Sequence, residues 1–176
     1  MIIVSNHVKD KVKLNDNIVI RINVAWVKTI SELKKIIKDN SKNPIYLDFP
    51  EGRTKPPKPT LSLQEVIGIT HHYKNIKYFA ISNAEEQYSL KLIRKALPSR
   101  IKIVPKIETV RGIANIRDIV KGANTDTIML DKEDLYTAVN ADSEKYKEHM
   151  DTLRLDCFMI GITILELQGV IFYESE

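Results

Sequence analysis

The sequence predicts an α/β fold built on a parallel sheet, and three observations carry that reading. Short, almost wholly apolar runs rich in β-branched residues recur along the chain, as expected of strands buried on both faces. Stretches with helical periodicity fall between them. Several of those stretches open with the spacing of a helix capping box. Strand–helix alternation implies parallel neighbours joined by right-handed crossovers. Two architectures satisfy it: an open doubly wound sheet and a (β/α) barrel. A complete barrel takes about 250 residues, whereas this chain has 176 and at most seven strand candidates. A barrel here is therefore trimmed, incomplete or completed by a partner.

The elements follow in order. "MIIVS" and "NIVIRINVA" are the first two strands. Thr29 with Glu32 opens the helix in "SELKKIIKDN", and "PIYLDF" is the third strand. "PEGRTKPPKPTLS" (Pro50 to Ser62) is the only linker-like segment, and its four prolines exclude regular structure. Ser62 with Glu65 opens "LQEVIGITHHY", which leads to the strand "IKYFAIS". Ser82 with Glu85 opens "AEEQYSLKLIRKAL", a helix that stops before Pro98. The strand "IKIVPKI" precedes a helix in "GIANIRDIVKG", closed by Gly122. "TDTIMLD" is a strand, with a short helix in "KEDLYTAV" after it. The region from Ser143 to Gln168 reads as one long helix despite Gly161, ending at Gly169 before the last strand, "GVIFYE".

Composition narrows the class. Hydrophobic residues make up 43% and charged residues 28%, as in a soluble protein with a core. No apolar run approaches the roughly 18 residues of a membrane span, and "MIIVSNHVKD" lacks the regions of a signal peptide. The single cysteine, Cys157, excludes an intramolecular disulfide, fits a cytoplasmic setting, and is expected to be a buried, inert thiol. The net charge of +4 is scattered among acidic residues, with no all-basic helix face. That argues against nucleic acid and for a small anionic ligand.

In parallel α/β folds sites form at the C-terminal ends of the strands. The polar residues that end the apolar runs are Arg21 and Asn23, Asp48, Ser82, Lys106 and Glu108, and Asp131 and Asp134. Glu108 and Asp134 come from successive strands, which lie about 4.8 Å apart when paired. Two carboxylates at that separation can share a hard divalent cation, and they can equally cap the helices that follow. Lys106 and Arg21 could hold an anionic substrate or stabilise charge developing on it. His71 and His72 sit at a helix end, where histidine complements the dipole, and adjacent helix positions point apart. No Gly-rich phosphate loop, nucleophile elbow or zinc-ligand spacing is present.

Five ordered stretches resemble the pyruvate kinases: "VIRINVAW", "IYLDFPEGR", "LSLQEVIGITHHYKNIKYFAIS", "IKIVPKIETVRGIANIRDIV" and "TDTIMLDKEDLYTAV". "IET" followed by "EDL" also resembles the citrate lyase β-subunit and HpcH/HpaI aldolase families. All belong to the phosphoenolpyruvate/pyruvate barrel superfamily. The resemblance implies a TIM-type (β/α) barrel, trimmed or incomplete, as a single domain over residues 1–176. In it the loop 50–62 replaces the lid domain of the kinases.

By position, the resemblance implies that Glu108 and Asp134 hold Mg²⁺ (or Mn²⁺). Lys106 and Arg21 become the catalytic cations, and Arg21 and Arg53 bind substrate with Asn23 and Asp48. K⁺ is not expected, because Ala25 and Phe49 replace two of its ligands. Lys132, Glu133 and Tyr136 replace small or basic residues around Asp134, where bulk is expected to crowd the site. The activity implied first is enolate chemistry on a small oxo-acid, with carbon–carbon bond cleavage or formation. A phosphotransferase using phosphoenolpyruvate and a non-catalytic binding or scaffold protein are the alternatives. An incomplete barrel exposes strand edges, so a homo-oligomer is expected.

Overall fold

The computed structural model describes residues 2–6, 18–52, 56–168 and 171–174. Seven strands run parallel in sequence order: β1 (Ile2–Ser5), β2 (Ile18–Asn23), β3 (Ile45–Phe49), β4 (Ile76–Ile81), β5 (Lys102–Ile107), β6 (Thr127–Leu130) and β7 (Thr163–Gln168). This is the strand set of a trimmed TIM-type barrel. An eighth strand, β8 (Ile171–Glu174), runs antiparallel to its neighbours and pairs with both β7 and β1. The helices are α1 (Ile30–Asp39), α2 (Leu63–Thr70), α3 (Gln87–Ala96), α4 (Val110–Ala114), α5 (Ile116–Ala123), α6 (Lys132–Ala138) and α7 (Ser143–Met159).

The strands alternate inside and outside with period two. Inward side chains of six strands and β1 form one apolar layer: Ile3, Val19, Tyr46, Ala80, Val104, Met129 and Leu165. Residues of opposite parity, such as Ile20, Ile22, Leu47, Phe79, Ile103, Ile107 and Ile128, join a separate cluster beneath the helices. That double burial is why the strands read as continuous apolar runs.

Two capping predictions hold. Thr29 accepts from the Glu32 amide, and Ser62 with Glu65 forms a reciprocal capping box. Three boundaries differ. Helix α3 starts at Gln87, because the chain beyond β4 runs on through residues 82–86 before turning. The expected helix over "GIANIRDIVKG" is broken at Asn115 into α4 and α5, and Asn124, at φ 50°, ends α5. Gly122 is instead a packing residue: a Cβ there would lie 2.6 Å from the Gln87 carbonyl oxygen. The long helix expected to Gln168 stops at Met159. Gly161 takes φ +70°, a conformation glycine adopts freely, and "TILELQ" becomes β7. The final run therefore supplies the eighth strand rather than the seventh. Among the described residues no helix is long and apolar enough to cross a membrane.

Candidate functional site

The end of β5 shows how period two builds the site. Lys106 and Glu108 are two residues apart, so both point into the barrel, while Ile107 between them packs outward into the core. The polar pair ending an apolar strand is thus the continuation of its inward face past Val104. The same step of two leads from Val19 to Arg21, Tyr46 to Asp48, Ala80 to Ser82 and Met129 to Asp131. A polar layer lies directly on the apolar one.

These residues line a cleft of about 540 Å³ at the C-terminal ends of the strands. Arg21, Asn23, Asp48, Ser82, Lys106, Glu108, Asp131 and Asp134 all border it. The structure therefore brings together every candidate on the predicted rim; Arg53, the further substrate-binding residue that the resemblance implies, lies outside the described residues.

Their contacts are specific. Lys106 Nζ lies 2.7 Å from Glu108 Oε1, donates to Ser82 Oγ at 3.0 Å, and stands 3.9 Å from Asp48 Oδ1. Arg21 Nε donates to Asp48 Oδ2 at 2.9 Å, and its Nη2 approaches the same oxygen. The Asn83 amide donates to Glu108 Oε2 at 2.7 Å. Asn23 Oδ1 accepts from the Ala25 amide, starting a short 3₁₀ turn. Asp48 is 1% exposed, and Lys106 and Glu108 are each 6% exposed, so these charges interact with little solvent between them.

Protonation follows from that burial. Burial raises the Glu108 carboxyl above its ordinary range, and the opposing pull of Lys106 and the Asn83 amide does not offset it. Burial alone would lower the Lys106 ammonium, but Asp48 and Glu108 together hold it above its ordinary value. Lys106 is consequently a fixed cation rather than a neutral amine nucleophile. Burial likewise pushes the Cys157 thiol up to about 12, in keeping with an inert role.

Glu108, Asp131 and Asp134 each offer a carboxylate oxygen within 4.8 Å of the others. Asp131 also caps α6 by accepting from the Asp134 amide at 3.3 Å, so capping and convergence coexist. The donor set suits a hard divalent cation: three carboxylates whose mutual repulsion such an ion would offset.

Asp131, Ser82 and Asn83 exceed the sequence prediction. The sequence places both Asp131 and Ser82 on the rim, without making Asp131 a metal ligand or pairing Ser82 with Lys106; it also makes Ser82 a helix cap, whereas α3 begins only at Gln87. Both sit two residues beyond inward-facing apolar positions, a parity signal present in the sequence. The Asn83 amide carries no side-chain signal. Lys132, Glu133 and Tyr136, the bulky residues around Asp134, are not among those that border the cleft. Lys132 turns to Glu166 on the outer face of β7, and Tyr136 lies edge-on to Tyr146 with ring centroids 5.4 Å apart. His71 contacts the Ala96 carbonyl at a helix end.

The barrel is similar to a solved citrate synthase, SbnG, with a TM-score of 0.64 and 13% identity, covering 88% of this chain and 69% of that one. It is similar to RipC from Yersinia pestis with a TM-score of 0.61 and 14% identity, covering 84% and 68%. Pyruvate kinase of Cryptosporidium parvum in complex with ADP matches over 61% of this chain and 23% of that one, at 22% identity and a TM-score of 0.49. The first two likenesses establish the fold, and it is the fold implied by the resemblance to the phosphoenolpyruvate/pyruvate barrel superfamily. No protein-family model matches the chain, and no curated protein matches it.

Proposed function

We propose that the cleft binds Mg²⁺ (or Mn²⁺) through Glu108, Asp131 and Asp134 and carries out enolate chemistry on a small oxo-acid, with carbon–carbon bond cleavage or formation. The observation that carries this reading is the convergence of three carboxylates beside a buried lysine ammonium. The likeness to a citrate synthase supports the carbon–carbon branch. A bound divalent ion would supply a Lewis acid for the oxygens of the oxo-acid.

The chain's own groups supply the rest. Lys106, held protonated, presents positive charge beside the carboxylate cluster, where an enolate oxygen would develop its negative charge. Ser82 and Glu108 fix the direction of its ammonium, so the charge is preorganised. The Asn83 amide holds the second Glu108 oxygen in place.

Titration calorimetry with Mg²⁺ and oxalate, a planar mimic of enolpyruvate, tests the reading. Binding is expected for the wild type, weakened on the order of tenfold or more in Glu108→Gln. No binding by the wild type, or unchanged binding in the variant, overturns it. Lys106 would serve a phosphotransferase equally well. Pyruvate release from phosphoenolpyruvate, with nucleotide and K⁺ varied, would favour that alternative. Absence of both leaves a non-catalytic binding or scaffold role.

A further inference from the structure

The two cations expected to grip an anionic substrate are already engaged. Arg21 directs Nε and Nη2 at Asp48 Oδ2. Lys106 Nζ faces Asp48 Oδ1 at 3.9 Å while contacting Glu108 and Ser82. Asp48 thus stands between the arginine of β2 and the lysine of β5, one oxygen toward each, on a side chain 2% exposed. Its desolvation is already complete in the folded protein. An anion from solution must still shed its water to compete for the same donors. The Asp48 charge also opposes the field that both cations project into the cleft.

We infer that Asp48 is a specificity-determining residue: a built-in counter-anion that keeps Arg21 and Lys106 from binding free anions, so that an anionic ligand enters only together with a divalent cation. This rests on the metal reading above and adds to it. The metal becomes a condition for ligand binding rather than an aid to it, and simple anions such as inorganic phosphate are refused by the protein alone.

Calorimetry in four arms tests this: wild type and Asp48→Asn, each titrated with oxalate after chelator treatment and again with Mg²⁺ present. Without metal, the wild type is expected to show no saturable binding of oxalate, nor of inorganic phosphate, at millimolar concentrations. Asp48→Asn is expected to bind both without metal, with affinity raised on the order of tenfold or more, since a desolvated cation pair is uncovered. The double variant Asp48→Asn/Arg21→Gln is expected to lose that gain. Metal-free binding by the wild type overturns the proposal, and this arm depends on no variant folding. Thermal melts establish that Asp48→Asn is folded, and a folded Asp48→Asn without gain, or a double variant that keeps it, also overturns the proposal. A wild type that ignores oxalate with Mg²⁺, beside an Asp48→Asn that gains metal-free binding, would sink the metal reading and leave the role of Asp48 standing.

Discussion

Glu108 and Glu166 are both buried glutamates, 6% and 5% exposed, and both touch cations. Glu108 faces the cleft and meets Lys106 at 2.7 Å. Glu166 follows the inward Leu165, so it points outward, where it meets Arg154 at 3.1 Å and the Lys132 ammonium. Their acidities move in opposite directions. Burial dominates at Glu108 and lifts it. At Glu166 burial is again the largest single influence, but the hydrogen bonds and charges of Lys132 and Arg154 together outweigh it and hold the carboxyl low. The difference lies in how cations are shared. Glu166 has two of them, joining α6 and α7 to β7. Glu108 shares one lysine with Asp48 and has Asp131 nearby, which raises it further. One glutamate ties elements together, while the other is held in a state that a cation from outside would relieve.

The largest expected effect comes from removing the cation that the inner site shares. Lys106→Met would leave Asp48 and Glu108 buried with a lost counter-charge, a change that typically costs about 3–5 kcal/mol. Urea unfolding measures it, and a loss below about 1 kcal/mol would mean that water, not Lys106, compensates these carboxylates. The outer clamp should respond less. The side chains of Lys132 and Arg154 are 38% and 53% exposed, so water can take over when Glu166→Gln removes the charge. A loss of about 1 kcal/mol is expected, with Mg²⁺ binding unchanged. A weaker Mg²⁺ affinity in Glu166→Gln would show that the clamp positions Asp134 through α6.

The same contrast marks what the sequence could reveal. The inner site was legible because period two is strict. An apolar strand that ends in Lys106-Ile107-Glu108 must present both charges on one face, and the ordered motif resemblance pointed to that face as the cleft. Six of the seven expected strands are β1 to β6 and the last is β8; the one strand misassigned is β7, which was placed in a helix. "TILELQ" has apolar residues compatible with either period, and only the turn at Gly161 separates it from α7. Glu166 fell inside that misread helix, so the clamp was invisible. Gly122 resembled a helix terminator for a related reason. The close approach of α3, which forbids a side chain there, is tertiary and leaves no local trace. The pairing of Arg21 with Asp48 was also hidden, since both were assigned to the substrate and nothing in their spacing says that they satisfy each other first.

The smallest effect, and the sharpest contrast, is in pH. Glu166 lies below its ordinary value of 4.5, so its contribution to stability is complete above that value and disappears as pH falls through the folded one. Glu108 lies above 4.5, so the folded state holds its proton more tightly than the unfolded chain does. Its ionisation therefore removes stability as pH climbs from 4.5 toward the raised folded value. Unfolding free energies measured across the acid range should separate the two. Glu166→Gln is expected to flatten the rising limb below pH 4.5 and leave the region above it unchanged. Glu108→Gln is expected to remove a falling component above pH 4.5 and leave the acid limb in place. Saturating Mg²⁺ should abolish the Glu108 component in the wild type, because a cation at the cluster favours the ionised carboxylate that burial opposes. A Glu108 component that persists unchanged under Mg²⁺ would place any bound cation away from this carboxylate.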